Sequence, residues 1–138
     1  MISFALAFVL CIMFAHWVAD FVTQPHEVAV NKWNSLPHLV AHVGMYGFVL
    51  WFMMLLPFAL VFPSMYSMYY SDRTFANVSI LALCNCIAHG IIDFPESRLT
   101  HSLYAKQDYH NFFVVMGFCQ FLHISILFVT ADHFFHIF

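Results

Sequence analysis

Charge is what this sequence has least of. Of its 138 residues, 4 are Lys or Arg and 7 are Asp or Glu, 8% together. A soluble domain carries about 25% charged residues, so this chain cannot clothe a water-facing surface of its own size. Basic residues are outnumbered and the net charge is −3, which leaves no electrostatic footprint for nucleic acid. The opening run MISFALAFVLCIMFAHW lacks the basic stretch of a cleavable signal, so it reads as a membrane span. The four cysteines, Cys11, Cys84, Cys86 and Cys119, all fall inside apolar runs and read as small buried hydrophobes. Cys84 and Cys86 are two positions apart and point to different helix faces, a poor metal clip and a poor disulfide.

What the chain does have is apolar surface. It is 63% hydrophobic and 20% aromatic, with 18 Phe, and its mean hydropathy is +0.83. An integral membrane protein follows, with the lipid bilayer as its first partner and aromatics suited to its interfaces. Four spans, at about 2–23, 37–62, 75–94 and 111–131, each approach the roughly 20 residues that cross a bilayer. The expected fold is all-α, a membrane four-helix bundle forming one domain over 1–138.

Punctuation supports these limits. Pro25 closes the first span through its effect on Gln24. Ser35 is a cap and Pro37 a first-turn residue for the second span. Pro57 is expected to kink that span, Pro63 to end it, and Pro95 to close the third. The stretch 63–73 reads as an interfacial loop, and 96–111 has room for a short helix on the membrane surface. Lys32, Arg98 and Lys106 fall in the first and third loops, against Arg73 in the second. That places loops one and three in the cytoplasm and both termini outside.

Two stretches repeat one pattern: AHWVADF at 15–21 and AHGIIDF at 88–94. They suggest two parallel two-helix repeats. His16 and Asp20 are i, i+4 neighbours, as are His89 with Asp93 and His38 with His42, while Gln120 and His123 are i, i+3. Each span therefore presents a two-residue polar patch. An Asp facing lipid costs about 2.5–3.5 kcal/mol, so the patches should turn inward. By depth, the pairs on the first three spans share the cytoplasmic leaflet, with Gln120 and His123 deeper. Imidazole and carboxylate together suit one or two divalent metal ions, with zinc first and iron or manganese as alternatives. The ligand candidates are His16, Asp20, His42, His89, Asp93 and His123. Gln24 and Gln120 would orient ligands or water, and Lys32 would anchor at the interface or hold an anionic lipid headgroup.

The pattern AHWVADFVTQP, NKW, HLVAHV, AHGIIDF and CQFLH resembles the DUF3307 family of small multi-span membrane proteins of bacteria and phages. The likeness covers roughly residues 10–125. The family pattern, H-x-x-x-D-F-x-x-Q, a Lys, a His early in the next span, H-x-x-x-D and D-Q-x-x-H, falls on His16, Asp20, Gln24, Lys32, His42, His89, Asp93, Gln120 and His123. One position departs: Cys119 stands where the pattern has Asp. The chain is also similar to membrane-bound proteins described as metal-dependent hydrolases, which implies metal-activated water; a site opening near the interface would take a lipid-linked or amphipathic substrate. Three other readings remain open. A proton or ion relay through the His and Asp residues would call for a homo-oligomer. A structural protein could hold a satisfied polar core. Haem could sit between His42 and His123.

Overall fold

The computed structural model describes residues 4–60 and 72–135, and among them it is helical without strands. Helix α1 spans Phe4–Trp17 and runs into a π-helical turn at Val18–Val22. Then come α2 (His26–Asn31), α3 (Leu36–Leu60), α4 (Asp72–Ala105) and α5 (Tyr109–Phe135). The α3, α4 and α5 helices are long and apolar enough to cross a membrane, and Leu6–Val22 is a shorter apolar helix.

The side-chain contacts fix the directions. Tyr46 meets His16 and His42 meets Asp20, so α3 runs against α1. Trp51 bonds Ser79 and Cys86 bonds the Val43 carbonyl, so α4 runs against α3. Asn77 reaches the Phe134 carbonyl and His89 stacks on His123, so α5 runs against α4. The α1 and α4 helices, which carry the repeated motif, therefore run parallel.

Burial is inverted relative to a soluble protein. Phe48, Phe52, Ile91, Phe113, Phe121 and Val129 are exposed, while His16, Asp20, His42, His89, Asp93 and His123 are buried. Below the polar cluster lies an apolar core of Phe8, Ile12, Leu50, Met54, Val78, Leu81 and Leu127. Gly47 lets α3 and α4 approach closely: a Cβ there would sit 2.8 Å from Cys86 Sγ and 2.9 Å from Cys86 Cβ. Small residues at such crossings are the usual means of packing apolar helices.

Two local expectations change. Pro95 does not close the third span, because α4 continues through it to Ala105. The residues beyond it have an inward face to bury. Asn85, His89, Asp93 and Ser97 recur every four residues and all are buried, with Thr100 next along that face. Spanning helices tolerate such a proline when neighbouring groups re-satisfy the freed backbone. The surface helix expected within 96–111 is therefore mostly the last three turns of α4. That helix ends in a Schellman turn: Asp108 N–H donates to Leu103 O at 3.0 Å, and Gln107 takes the left-handed conformation at φ 60°. As expected, α3 continues through Pro57, to Leu60. Pro63 and the loop expected at 63–71 lie outside the described residues.

Candidate metal centre

Each element brings a polar group to one level. On α1, His16 is followed by the π turn, in which Thr23 N–H donates to Val18 O at 3.0 Å. A π turn is wider than an α turn and recurs at functional sites. Here it carries Asp20 toward α3 and α4 and away from His16. The two remain 3.9 Å apart, whereas Asp20 Oδ1 is 3.3 Å from His42 Nε2 and 3.4 Å from His89 Nε2. The second motif behaves alike. His89 Nε2 is 3.6 Å from Asp93 Oδ2 on its own helix but 2.9 Å from His42 Nε2 across the interface. The motif residues thus make their closest contacts between helices, which a His–Asp pair satisfied within one helix would not do.

Four atoms stand out: Asp20 Oδ1, His42 Nε2, His89 Nε2 and Asp93 Oδ2. The Asp93–His42 separation is 3.1 Å. Together with the distances above, five of the six edges of this quartet lie between 2.9 and 3.6 Å. Tetrahedral zinc with ligand distances of about 2.0–2.2 Å requires donor–donor edges of about 3.3–3.6 Å. Two facing imidazole nitrogens and two carboxylate oxygens, all buried, can share few protons among them, and a cation satisfies them together.

The surrounding groups orient these. Gln120 Nε2 donates to Asp20 Oδ2 at 2.9 Å, and its Oε1 accepts from His16 Nε2 at 3.0 Å. The Tyr46 hydroxyl lies 3.1 Å from His16 Nδ1, and its ring stacks on His89 at 4.0 Å. Lys32 donates to Asp93 Oδ2 at 2.7 Å. Burial alone would lower the Lys32 ammonium, but the Asp93 carboxylate outweighs it and raises Lys32 above its ordinary range. His123 is buried, and both of its ring nitrogens lack a hydrogen-bond partner. Its Nε2 is 3.7 Å from Asp93 Oδ1.

The structure therefore brings His16, Asp20, Lys32, His42, His89, Asp93, Gln120 and His123 together. Gln120 and His123 are level with the other ligand candidates, where their sequence position suggested a deeper place. Gln24 lines the adjoining cleft, and its buried Nε2 has no hydrogen-bond partner. His38 stays outside the cluster, bonding Ser35 at 2.7 Å. Cys119 is buried one turn before His123 and belongs to none of the His, Cys, Asp and Glu groups with ligand geometry among the described residues. Tyr46 is the member that the sequence reading missed. Its signal was present, since Tyr46 lies one turn beyond His42 on the same face.

A cleft of about 530 Å³ leads to the cluster. Asp20, Asp93 and Gln120 are on its inner wall, with Glu96, Tyr104 and Phe112 further out. Trp33 and His101, also on its wall, stack at 3.6 Å and tie the α2–α3 connection to the last turns of α4. The cleft thus belongs to the end of the molecule that carries Lys32, Arg98 and Lys106.

The sequence profile of DUF3307, a protein family of unknown function, matches residues 8–138. The chain belongs to this family. No curated protein and no solved structure matches it.

Proposed function

We propose that this chain is a four-span protein of the bacterial inner membrane that binds a divalent metal ion, zinc first, in its core near the cytoplasmic side. The observation that carries this reading is the buried group of Asp20, His42 and His89, whose ligand atoms all lie within 4.8 Å of one another, with Asp93 Oδ2 a further 3.1 Å from His42 Nε2. Iron and manganese accept the same donors with more ligands.

The reaction class that fits is hydrolysis of an ester in a lipid-linked substrate. A bound divalent ion lowers the pKa of water and supplies a nucleophile at neutral pH. The protein's own groups would do the rest. The cleft admits a headgroup from the interface. Lys32, beside Asp93, offers a cation to an anionic group, and Glu96 on the cleft wall is placed to relay a proton. Phe21, Tyr104, Phe112 and Met116 line the cleft and suit the apolar part of the substrate.

The relay reading has one observation in its favour: Lys32, Asp93, His42, His89, Asp20, Gln120, His16 and Tyr46 form a continuous polar chain. It meets the apolar core of Ile12, Leu50 and Leu81, which makes a path across the membrane unfavourable. Haem fits poorly, because the His89 ring fills the space between His42 and His123, at 4.9 and 4.2 Å from them.

The test is metal content by mass spectrometry on detergent-purified protein, wild type beside His42→Ala/His89→Ala. The expected result is near-stoichiometric metal in the wild type, lost in a variant that remains monodisperse and helical. Metal absent from wild type purified without chelators and then incubated with zinc, iron or manganese would refute the reading.

A further inference from the structure

Resting on the metal reading above, we infer that the centre is dinuclear, with Asp20 and Asp93 each bridging two metal positions. The argument comes from how the two oxygens of each carboxylate are used. Asp20 Oδ1 faces His42 and His89, and Asp93 Oδ2 faces the same two imidazoles. That is the first position. The other oxygen of each carboxylate faces elsewhere: Asp20 Oδ2 is 3.9 Å from His16 Nε2, and Asp93 Oδ1 is 3.7 Å from His123 Nε2. His16, Asp20 and His123 each offer a ligand atom within 4.8 Å of the other two, and so do His89, Asp93 and His123. His123 is common to both groups and marks the second position.

An independent observation points to a ligand there. His123 is 4% exposed, and neither of its ring nitrogens has a hydrogen-bond partner. A buried polar group left unpaired is costly, and a single ion in the first position would leave His123 in that condition. An ion between His16 and His123 would satisfy one of those two nitrogens. The Gln120 amide oxygen, 3.0 Å from His16 Nε2, is on hand as a further oxygen donor or as a hydrogen-bond acceptor for a bound water.

The ligand count divides evenly. His42 from α3 and His89 from α4 serve one ion, and His16 from α1 and His123 from α5 serve the other. The carboxylates come from the π turn that continues α1 and from α4, the segments that carry the repeated motif. Helical bundles build carboxylate-bridged metal pairs from this kind of one-turn spacing, and paired ions about 3.5–4 Å apart act on both oxygens of a displacement. Two dications beside Lys32 outnumber the two carboxylates in charge, so the pair calls for an anionic group from the cleft, as hydroxide or a substrate headgroup would supply.

The experiment loads full-length protein in detergent with Mn²⁺, removes excess, and reads metal per chain by mass spectrometry alongside electron paramagnetic resonance. The expected wild-type result is two ions per chain with an exchange-coupled spectrum. His123→Gln should then fall to one ion per chain with an uncoupled signal, and His42→Gln should do the same. One uncoupled ion per chain in the wild type, unchanged in His123→Gln, would overturn the dinuclear centre and leave the single-ion reading standing. Absence of bound Mn²⁺, with zinc and iron equally absent, would overturn both. The wild-type stoichiometry decides the matter even if a variant fails to fold.

Discussion

Tyr46→Phe removes one oxygen atom and little else. Tyr46 is 1% exposed, its hydroxyl is 3.1 Å from His16 Nδ1, and its ring lies at 10° to that of His89. Phenylalanine keeps the ring stack and nearly the same volume, so the packing of α3 against α1 and α4 should survive. His16, 2% exposed, is left with an unpartnered Nδ1. A buried group stranded in this way costs about 1–3 kcal/mol. If His16 Nε2 binds metal, Nδ1 carries the proton and donates it to the Tyr46 oxygen, which fixes the tautomer and the ring plane. Removing such an orienting partner typically weakens metal affinity about 10–100-fold, about 1.4–2.7 kcal/mol and thus the same range. The assay is competition between protein and a chromophoric chelator in detergent, with thermal unfolding measured on the same samples. A Tm loss with unchanged metal affinity would make Tyr46 a purely structural partner and remove His16 from the ligand set. No change in either quantity would refute the tautomer argument as a whole.

Four further outcomes follow from the geometry. Metal at 100 times its Kd should stabilise the fold by about 2.7 kcal/mol, visible as a Tm rise that chelator reverses; an unchanged Tm would mean that the cluster does not bind it. Lys32→Met should destabilise the metal-free protein by about 1–3 kcal/mol through the stranded Asp93 oxygen, and the metal-loaded protein by less, as judged by Tm with and without metal. Gly47→Ala should lower stability by about 1–3 kcal/mol, because its Cβ would meet Cys86 at 2.8 Å; a gain in Tm would show that α3 and α4 separate freely. Gln107→Gly should raise stability by about 1 kcal/mol by relieving the left-handed backbone at φ 60°, without altering metal content.

Three of the four expected spans and the polar pairs were legible because both rest on local periodicity. Apolar runs of about 20 residues and one-turn His–Asp spacing are visible without tertiary information. The extent of α4 was not. Pro95 is the strongest stop signal in its region, and no glycine marks the true end, since Gln107 occupies the left-handed position. What keeps the helix going is the buried face of Ser97 and Thr100, a tertiary fact. The π turn was equally hidden, and it decides which partners Asp20 meets. His38 and His42 share a helical face by spacing, yet Ser35 holds His38 at the helix start, where burial gives out. Pattern alone could not separate those two histidines.

The location of the cluster limits what it can do. The four ligand-bearing elements close over an apolar core on one side, while the cleft opens between the α2–α3 connection and the end of α4. A group entering through the cleft reaches Asp20 and Asp93 without crossing that core. Burying two carboxylates this deeply without a full complement of cations is expensive, and Lys32 neutralises only one of them. Asp20 has Gln120 and imidazoles around it, but no Lys or Arg among the contacts described. Asn replacement therefore separates the readings. In a metal site, Asp20→Asn should abolish metal binding while changing the metal-free stability little, because the Asn amide oxygen can still accept from Gln120. In a satisfied structural core, the same change should lower stability and have no metal phenotype to lose. Thermal unfolding of the metal-free variant beside metal-free wild type makes that distinction.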